Sequence, residues 1–204
     1  MGGYAAKREL LPQLEPGKLV SARELIGFVP GYFRLPDSGY EAAWSQLFNE
    51  QGFFAPYGPA TTERRQPLFL ADFGHDCMWN GPSWPFATTQ TLVGLANLLN
   101  DYDQQVVTKQ HYLRLLHIYA RSHQRLCDNG RAVWWIDENL HPDTGEWLAR
   151  RIHIERGSNE LERGKDYNHS GFCDLVISGL CGLRADAGDT LTINPLVSPA
   201  SWNW

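Results

Sequence analysis

Among these 204 residues there is no basic stripe, no apolar run of membrane length, no paired-cysteine motif and no glycine-rich phosphate loop. Each absence removes a class of protein. Lysine and arginine number 18 against 23 aspartates and glutamates, a formal net charge of -5, with the two signs interspersed. A surface that neutralises phosphates needs concentrated positive charge, so nucleic acid is not expected as a partner. A spanning helix needs roughly 20 consecutive apolar residues, which no stretch approaches. The opening MGGYAAKRELLPQLEPGK lacks the apolar core of a secretory signal, so a cytoplasmic chain with no membrane partner is expected. Cys77, Cys127, Cys173 and Cys181 show no C-x-x-C spacing, which argues against a zinc site or disulfide scaffold and leaves reduced core thiols. Without G-x-G-x-x-G, a P-loop or a βαβ rhythm, nucleotide-binding folds lose their support. No serine or cysteine sits in a nucleophile elbow, which disfavours a triad hydrolase. No metal or other cofactor is expected.

What is present is enough apolar residue, 43% against 20% charged, to bury a core. Eight Trp, eight Tyr and nine Phe sit partly beside turns and polar residues rather than in helix stripes. Such rings either fill a core or line a cleft, where their faces suit the C–H faces of sugars. Residues 1–18 read as an irregular lead-in rich in Pro, Gly and Glu. From Asp37 the spacing of Tyr40, Ala43, Trp44 and Leu47 predicts a short helix with Asp37 and Ser38 as capping candidates. A long loop, Gly52 to Gly81, is broken by Pro56, Gly58, Pro59, Pro67 and Gly74. Ser83 is then the expected cap of a helix with Pro85 in its first turn, running to about Asn100 along Leu92, Leu95, Ala96 and Leu99. Thr108 is the expected cap of the next, which Tyr112, Leu115, Leu116 and Tyr119 carry to about Leu126. A loop from Cys127 to Asn168 follows, then a helix through Phe172, Leu175, Val176, Gly179 and Leu183, and a short strand over Thr190 to Asn194. The organisation is mainly α, with helices as scaffold and loops carrying the chemistry.

Three constellations can carry chemistry, with His75-Asp76 as a weaker fourth. Trp79-Asn80-Gly81-Pro82-Ser83-Trp84-Pro85 stands where the long loop enters a helix, and it reads equally as the wall of a sugar site or as a tryptophan-anchored helix entry. Asp137 and Glu138 end an apolar run in Ile136-Asp137-Glu138-Asn139-Leu140-His141-Pro142-Asp143-Thr144-Gly145-Glu146. Adjacent side chains of an extended chain point apart, so one of the two at most reaches a given substrate atom. Inverting sugar hydrolysis needs one carboxylate to deprotonate water and a separate acid to protonate the leaving oxygen, and either carboxylate fits the first role. Glu162-Arg163-Gly164-Lys165-Asp166-Tyr167-Asn168-His169-Ser170 at the last helix entry, mixed charges followed by Tyr, Asn and His, either orients polyols or merely caps the helix through Asn168 or Ser170 while His169 packs.

The blocks ARELIGFVPGYFRLP, FFAPYGPATTE, WNGPSWPFATTQTLVGLANLLNDY, IDENLHPDTGEW, YNHSGFCDLVISGLCGLR and DTLTINPLV, in this order, resemble mannosylglycerate-hydrolase-like glycoside hydrolases, which are similar to GH63 glucosidases. The resemblance implies that residues 19–204 are the C-terminal portion, truncated at both ends, of an (α/α)6 toroid of six-hairpin type that cleaves an α-linked sugar with inversion. It places the general base on Glu138. It puts Trp79, Gly81 and Trp84 around the scissile sugar, with Tyr57, Gly58, Tyr167 and His169 bordering the same pocket. The partner implied is an oligosaccharide or glycoside. Leu140 and His141 depart from the usual Glu-Asn-Tyr-Asn-Pro, and the family's acidic Asp lies in an earlier half with no counterpart here. A half-toroid also implies a missing N-terminal half or self-association through unpartnered helix faces. A non-catalytic carbohydrate-binding fragment and an epimerase-type (α/α)6 enzyme are the competing classes.

Overall fold

The computed structural model describes residues 22–72, 74–167, 169–185 and 188–197. The expected lead-in, residues 1–18, lies outside them. A 3₁₀ turn, Leu25–Phe28, runs into the one-turn helix α1 (Val29–Tyr32), and a 3₁₀ helix Glu41–Phe48 follows. Then come α2 (Pro85–Asp101), α3 (Lys109–Ser122), β1 (Gln124–Leu126), β2 (Ala132–Trp134) and α4 (Leu148–Glu155). Helix α5 (His169–Asp174) continues as a π-helical stretch, Leu175–Leu180, before β3 (Leu183–Ala185) and β4 (Leu191–Ile193). The strands form two separate antiparallel ribbons, β1–β2 and β3–β4, so the described chain is mainly helical. Among the described residues no helix is long and apolar enough to cross a membrane.

Helix α2 is the spine. Proline occupies its first turn, where a fixed φ and a missing N–H cost nothing. The cap is Trp84 in extended conformation rather than Ser83, whose N–H and C=O both go to Leu140 at 2.9 Å. The stripe Leu92, Leu95, Ala96 and Leu98 is buried against Tyr112, Leu115, Leu116 and Tyr119 of α3 in one core. α1 approaches α2 closely because Gly31 and Gly94 face each other across the edge of Trp44; a methyl on Gly94 would lie 3.0 Å from that ring and 3.1 Å from the Tyr32 nitrogen. Asn97 of α2 then donates to the carbonyls of Gly31 and Tyr32 at 3.2 and 2.9 Å, answering the open end of α1.

Local patterning went astray at several ends. The stretch after Asp37 is a 3₁₀ helix starting at Glu41, and the Glu41 carboxylate, not Asp37 or Ser38, takes the nearby Gly39 N–H at 2.9 Å. Thr108 caps α3 as expected, in a capping box whose returning acceptor is the His111 ring, 2.9 Å from the Thr108 nitrogen. That helix stops at Ser122 instead of Leu126, because residues 124–126 pair with 132–134 across a turn in which Gly130 takes φ 75°. Within the expected loop from Cys127 to Asn168 lie β2 and α4. The last helix ends at Leu180 rather than Leu183, and Leu183 belongs to β3, the unforeseen partner of the expected strand. Leu175–Leu180 is widened to a π turn where the fully buried Tyr112 hydroxyl donates to the Leu175 carbonyl at 2.8 Å.

His123, just past α3, lies edge-on to Tyr119 and Phe172 at ring separations of 4.6 and 5.2 Å. Burial pushes its pKa down from 6.5 to about 4. The unfolded chain therefore binds more protons than the folded one between those two values, and stability falls as the pH is lowered through that window. The shift corresponds to about 3 kcal/mol at full burial, and the partly solvated ring reduces this to about 2 kcal/mol. Urea midpoints at pH 7 and pH 4 should show that loss, and His123→Phe should flatten the profile.

Candidate active site

Three segments far apart in the sequence are tied together by backbone bonds. The Ser83–Leu140 bridge joins the Trp79–Pro85 block to the Glu138–Glu146 block, and Leu140 bridges onward to Trp147. The Tyr57 nitrogen donates to the Pro142 carbonyl at 3.0 Å. Thr61 fastens the turn between the tryptophans, donating its hydroxyl to the Pro82 carbonyl at 2.9 Å and accepting the Gly81 N–H at 3.1 Å. Two glycines permit this convergence. A side chain on Gly58 (φ 129°) would collide with the Ser83 hydroxyl, and one on Gly145 (φ 74°) would collide with the Tyr57 ring.

Aromatic rings cover the joint. Trp84 is buried, its indole N–H held by the Met78 carbonyl at 2.7 Å, and Trp79 stacks on it at 4.2 Å and 14°. Trp79 remains 46% exposed, so it offers an open face of the kind that stacks on sugar rings. Tyr167 meets Trp84 edge-on at 6.2 Å. Gly81 does not face outward; it is pressed against the Phe69 ring and the Leu70 nitrogen, both 3.0 Å from where a methyl would sit. His169 opens α5, and Asn168 lies outside the described residues.

Glu138 is half-buried beside Tyr167. Burial first, then the neighbouring Glu138 charge and Cys77, raises the Tyr167 phenol above its ordinary pKa of 10.0. Beneath Glu138 lies a polar cluster that sequence reading did not assemble. Asp137 is 2% exposed, and its Oδ1 accepts the Glu138 N–H at 2.8 Å while Oδ2 accepts the Trp135 indole N–H at 3.3 Å. Desolvation raises its pKa, against those two bonds and the charges of Arg150 and His153. Asn139, fully buried, donates to the Asp76 carbonyl at 3.0 Å. The Asp76 carboxylate sits 3.2 Å from His153 Nε2, 3.6 Å from Arg163 and 3.9 Å from His75. Desolvation pushes the Asp76 pKa up, but its own backbone hydrogen bond and the charges of Arg163, His153 and His75 outweigh it, leaving the group lowered. The His75-Asp76 pair is thus a strut between the tryptophan block and α4. His153 left no signal in the sequence, because α4 carries no recognisable cap and reads as loop, and Arg163 stands in the polar block before the last helix without any cue to Asp76.

Several hollows flank this joint. One of about 330 Å³, largely apolar, opens between α1, the 3₁₀ helix and α2 beside Phe28, Trp44 and Tyr102. A smaller one of about 260 Å³ is bordered by Trp79, Phe86 and Gln90. A third, of about 410 Å³, reaches the joint beside His75, Met78 and His141, and Glu138 lines none of the three.

Residues 6–170 match the family model of the mannosylglycerate hydrolase MGH1-like glycoside hydrolase domain. A solved structure described as a sialidase is similar over 96% of this chain, with 38% identity and a TM-score of 0.76. This chain covers 17% of that one. No curated protein matches. The chain belongs to the mannosylglycerate hydrolase MGH1-like glycoside hydrolase domain family.

Proposed function

We propose that the chain is the C-terminal portion, from residue 19, of an (α/α)6 toroid that hydrolyses an α-linked sugar with inversion, and that Glu138 is its general base. The Ser83–Leu140 bridge carries this reading, since it ties the segment that bears Glu138 to the one that bears the Trp79–Trp84 stack. In this arrangement Trp79, backed by Trp84, stacks on the sugar, Tyr57 and Tyr167 border it, Gly58 and Gly81 shape the turns, and His169 stands at the entry of α5. Glu138 takes a proton from water on one face of the ring. An acid about 6.5–9.5 Å away protonates the leaving oxygen, and it comes from a segment other than these residues.

The hollow at α1 supports the toroid. Leu35 and Tyr40, 70% and 69% exposed, border it and form an apolar face suited to packing on another helical hairpin or, failing that, on a second copy.

Following the first turnovers of an α-glycoside by proton NMR tests the mechanism, with this chain supplied with the acid-bearing segment. The β-anomer should appear first and then mutarotate, and initial release of the α-anomer would overturn inversion. The open face of Trp79 also favours a second reading, a sugar-binding fragment without chemistry. Calorimetric binding of oligosaccharide with no hydrolysis under the same conditions would select it.

A further inference from the structure

We propose that Asp137 is the positioning residue of this site, a buried anchor that fixes the direction in which Glu138 presents its carboxylate. The inference rests on Glu138 being the base. Its support is geometric. The chain bends at Glu138, with Asp137 turned inward and Glu138 left half-exposed. A carboxylate is costly to bury, and an apolar side chain of similar size would fill the space more cheaply. Asp137 uses both its oxygens locally, one on the N–H of Glu138 itself and one on the Trp135 indole. It therefore clamps the peptide unit from which the Glu138 side chain departs.

A second contact bears on the same residues from above. The turns over 161–167 fold back onto the segment after β2, where the Asp166 N–H donates to the Ile136 carbonyl at 2.9 Å, and Arg150 ties them to α4 by donating to the Leu161 carbonyl at 2.6 Å. Gly164 lies at the contact point. A methyl there would collide with Asp137 Oδ1 and stand 2.9 Å from Glu138 Cγ. Only glycine lets the segment lie this close, and the same segment delivers Tyr167 beside Glu138. The charges facing Asp137 come from Arg150 and His153 of α4. Arg125, Arg150 and Lys165 stand 4.4, 5.2 and 5.5 Å from the centre of the Trp135 ring that Asp137 holds. Asp137 thus holds the backbone of Glu138, and the bare Cα of Gly164 leaves room for both acidic side chains.

The test compares Asp137→Ala with Asp137→Asn in the chain supplied with its acid-bearing segment. Loss of the clamp displaces a reacting group, and misplacement by about 1 Å costs on the order of 10²-fold. Asp137→Ala should lower kcat by about that factor with KM nearly unchanged, and Asp137→Asn, whose Oδ1 accepts the same N–H while its Nδ2 cannot accept from the Trp135 indole, should restore part of it. Because Asp137 acts through Glu138, adding Asp137→Ala to Glu138→Gln should cost nothing further. An undiminished kcat in Asp137→Ala, or an equal loss in the Glu138→Gln background, overturns the positioning role. Full activity of Glu138→Gln overturns the base assignment instead, so the two failures are distinguishable. Amide exchange by NMR on the chain alone gives a readout free of activity. Exchange at the Glu138 N–H should quicken in Asp137→Ala and stay slow in Asp137→Asn, and unchanged exchange in the alanine variant also overturns the clamp. Should Asp137→Ala fail to fold, Gly164→Ala, which crowds the same pair, should lower kcat likewise, and an unchanged kcat there overturns the proposal.

Discussion

Glu138→Gln is expected to slow hydrolysis of an α-glycoside by about 10²–10⁴-fold, the usual contribution of a positioned base, with almost no change in thermal midpoint. The amide keeps the shape and the accepting oxygen of the carboxylate but cannot take a proton from water. Stability should hold because the side chain is only half-buried and the bond from its N–H to Asp137 belongs to the backbone. Sugar affinity measured by calorimetry should survive, since the Trp79–Trp84 stack and Tyr57 are untouched. The Tyr167 phenol, now raised by burial and by the Glu138 charge, should titrate lower in the variant, though still above 10.0 because burial persists. Retained turnover would remove Glu138 from the role.

Gly179→Ala should be among the most damaging single changes to the fold, costing about 3 kcal/mol. Its added methyl would run into the hydroxyl of Tyr112. That tyrosine is fully buried, and its hydroxyl is tied to the Leu175 carbonyl, so the ring has no room to retreat. Burial raises its pKa well beyond the ordinary tyrosine value, so the neutral hydroxyl remains a donor throughout the working pH range. Either the ring shifts into a packed core or the hydrogen bond opens and leaves a buried carbonyl unpaired. Urea midpoints should show the loss, and adding Tyr112→Phe, which removes the oxygen the methyl meets, should recover part of it. Full additivity of the two changes would mean the collision is not what destabilises.

Some elements were legible and others were not, for reasons that differ by residue. α2 and α3 carry their own signals: proline in the first turn, a threonine cap, and apolar spacing that holds over several turns. α4 is short, without a cap, and charged along Arg150, Arg151 and Glu155, so its pattern resembles a solvated loop. β1, β2 and β3 are three residues each, too short for alternation to declare itself, whereas the alternation over Thr190 to Asn194 marks β4. The π turn depends on a tyrosine 63 positions away. The site divides in the same way. Both blocks, Trp79–Pro85 and Glu138–Glu146, stand out by residue type, and the structure joins them through Ser83 and Leu140. Yet Ser83 stands out in the sequence as a helix cap, because a serine two residues ahead of a first-turn proline is a local cue and a bridge to residue 140 is not.

What the order of residues determined by itself was the helical scaffold of α2 and α3, the aromatic loops, and the adjacent carboxylates Asp137 and Glu138, since period, capping and turn chemistry act within a few positions; the choice of Glu138 between them comes from the family resemblance. Only the folded chain decided that Asp137 lies beneath Glu138, that Gly164 presses on both, and that His153 and Arg163 hold Asp76. Those contacts join residues that stand in no fixed spacing, and they exist because buried polar groups must find partners wherever packing brings them together.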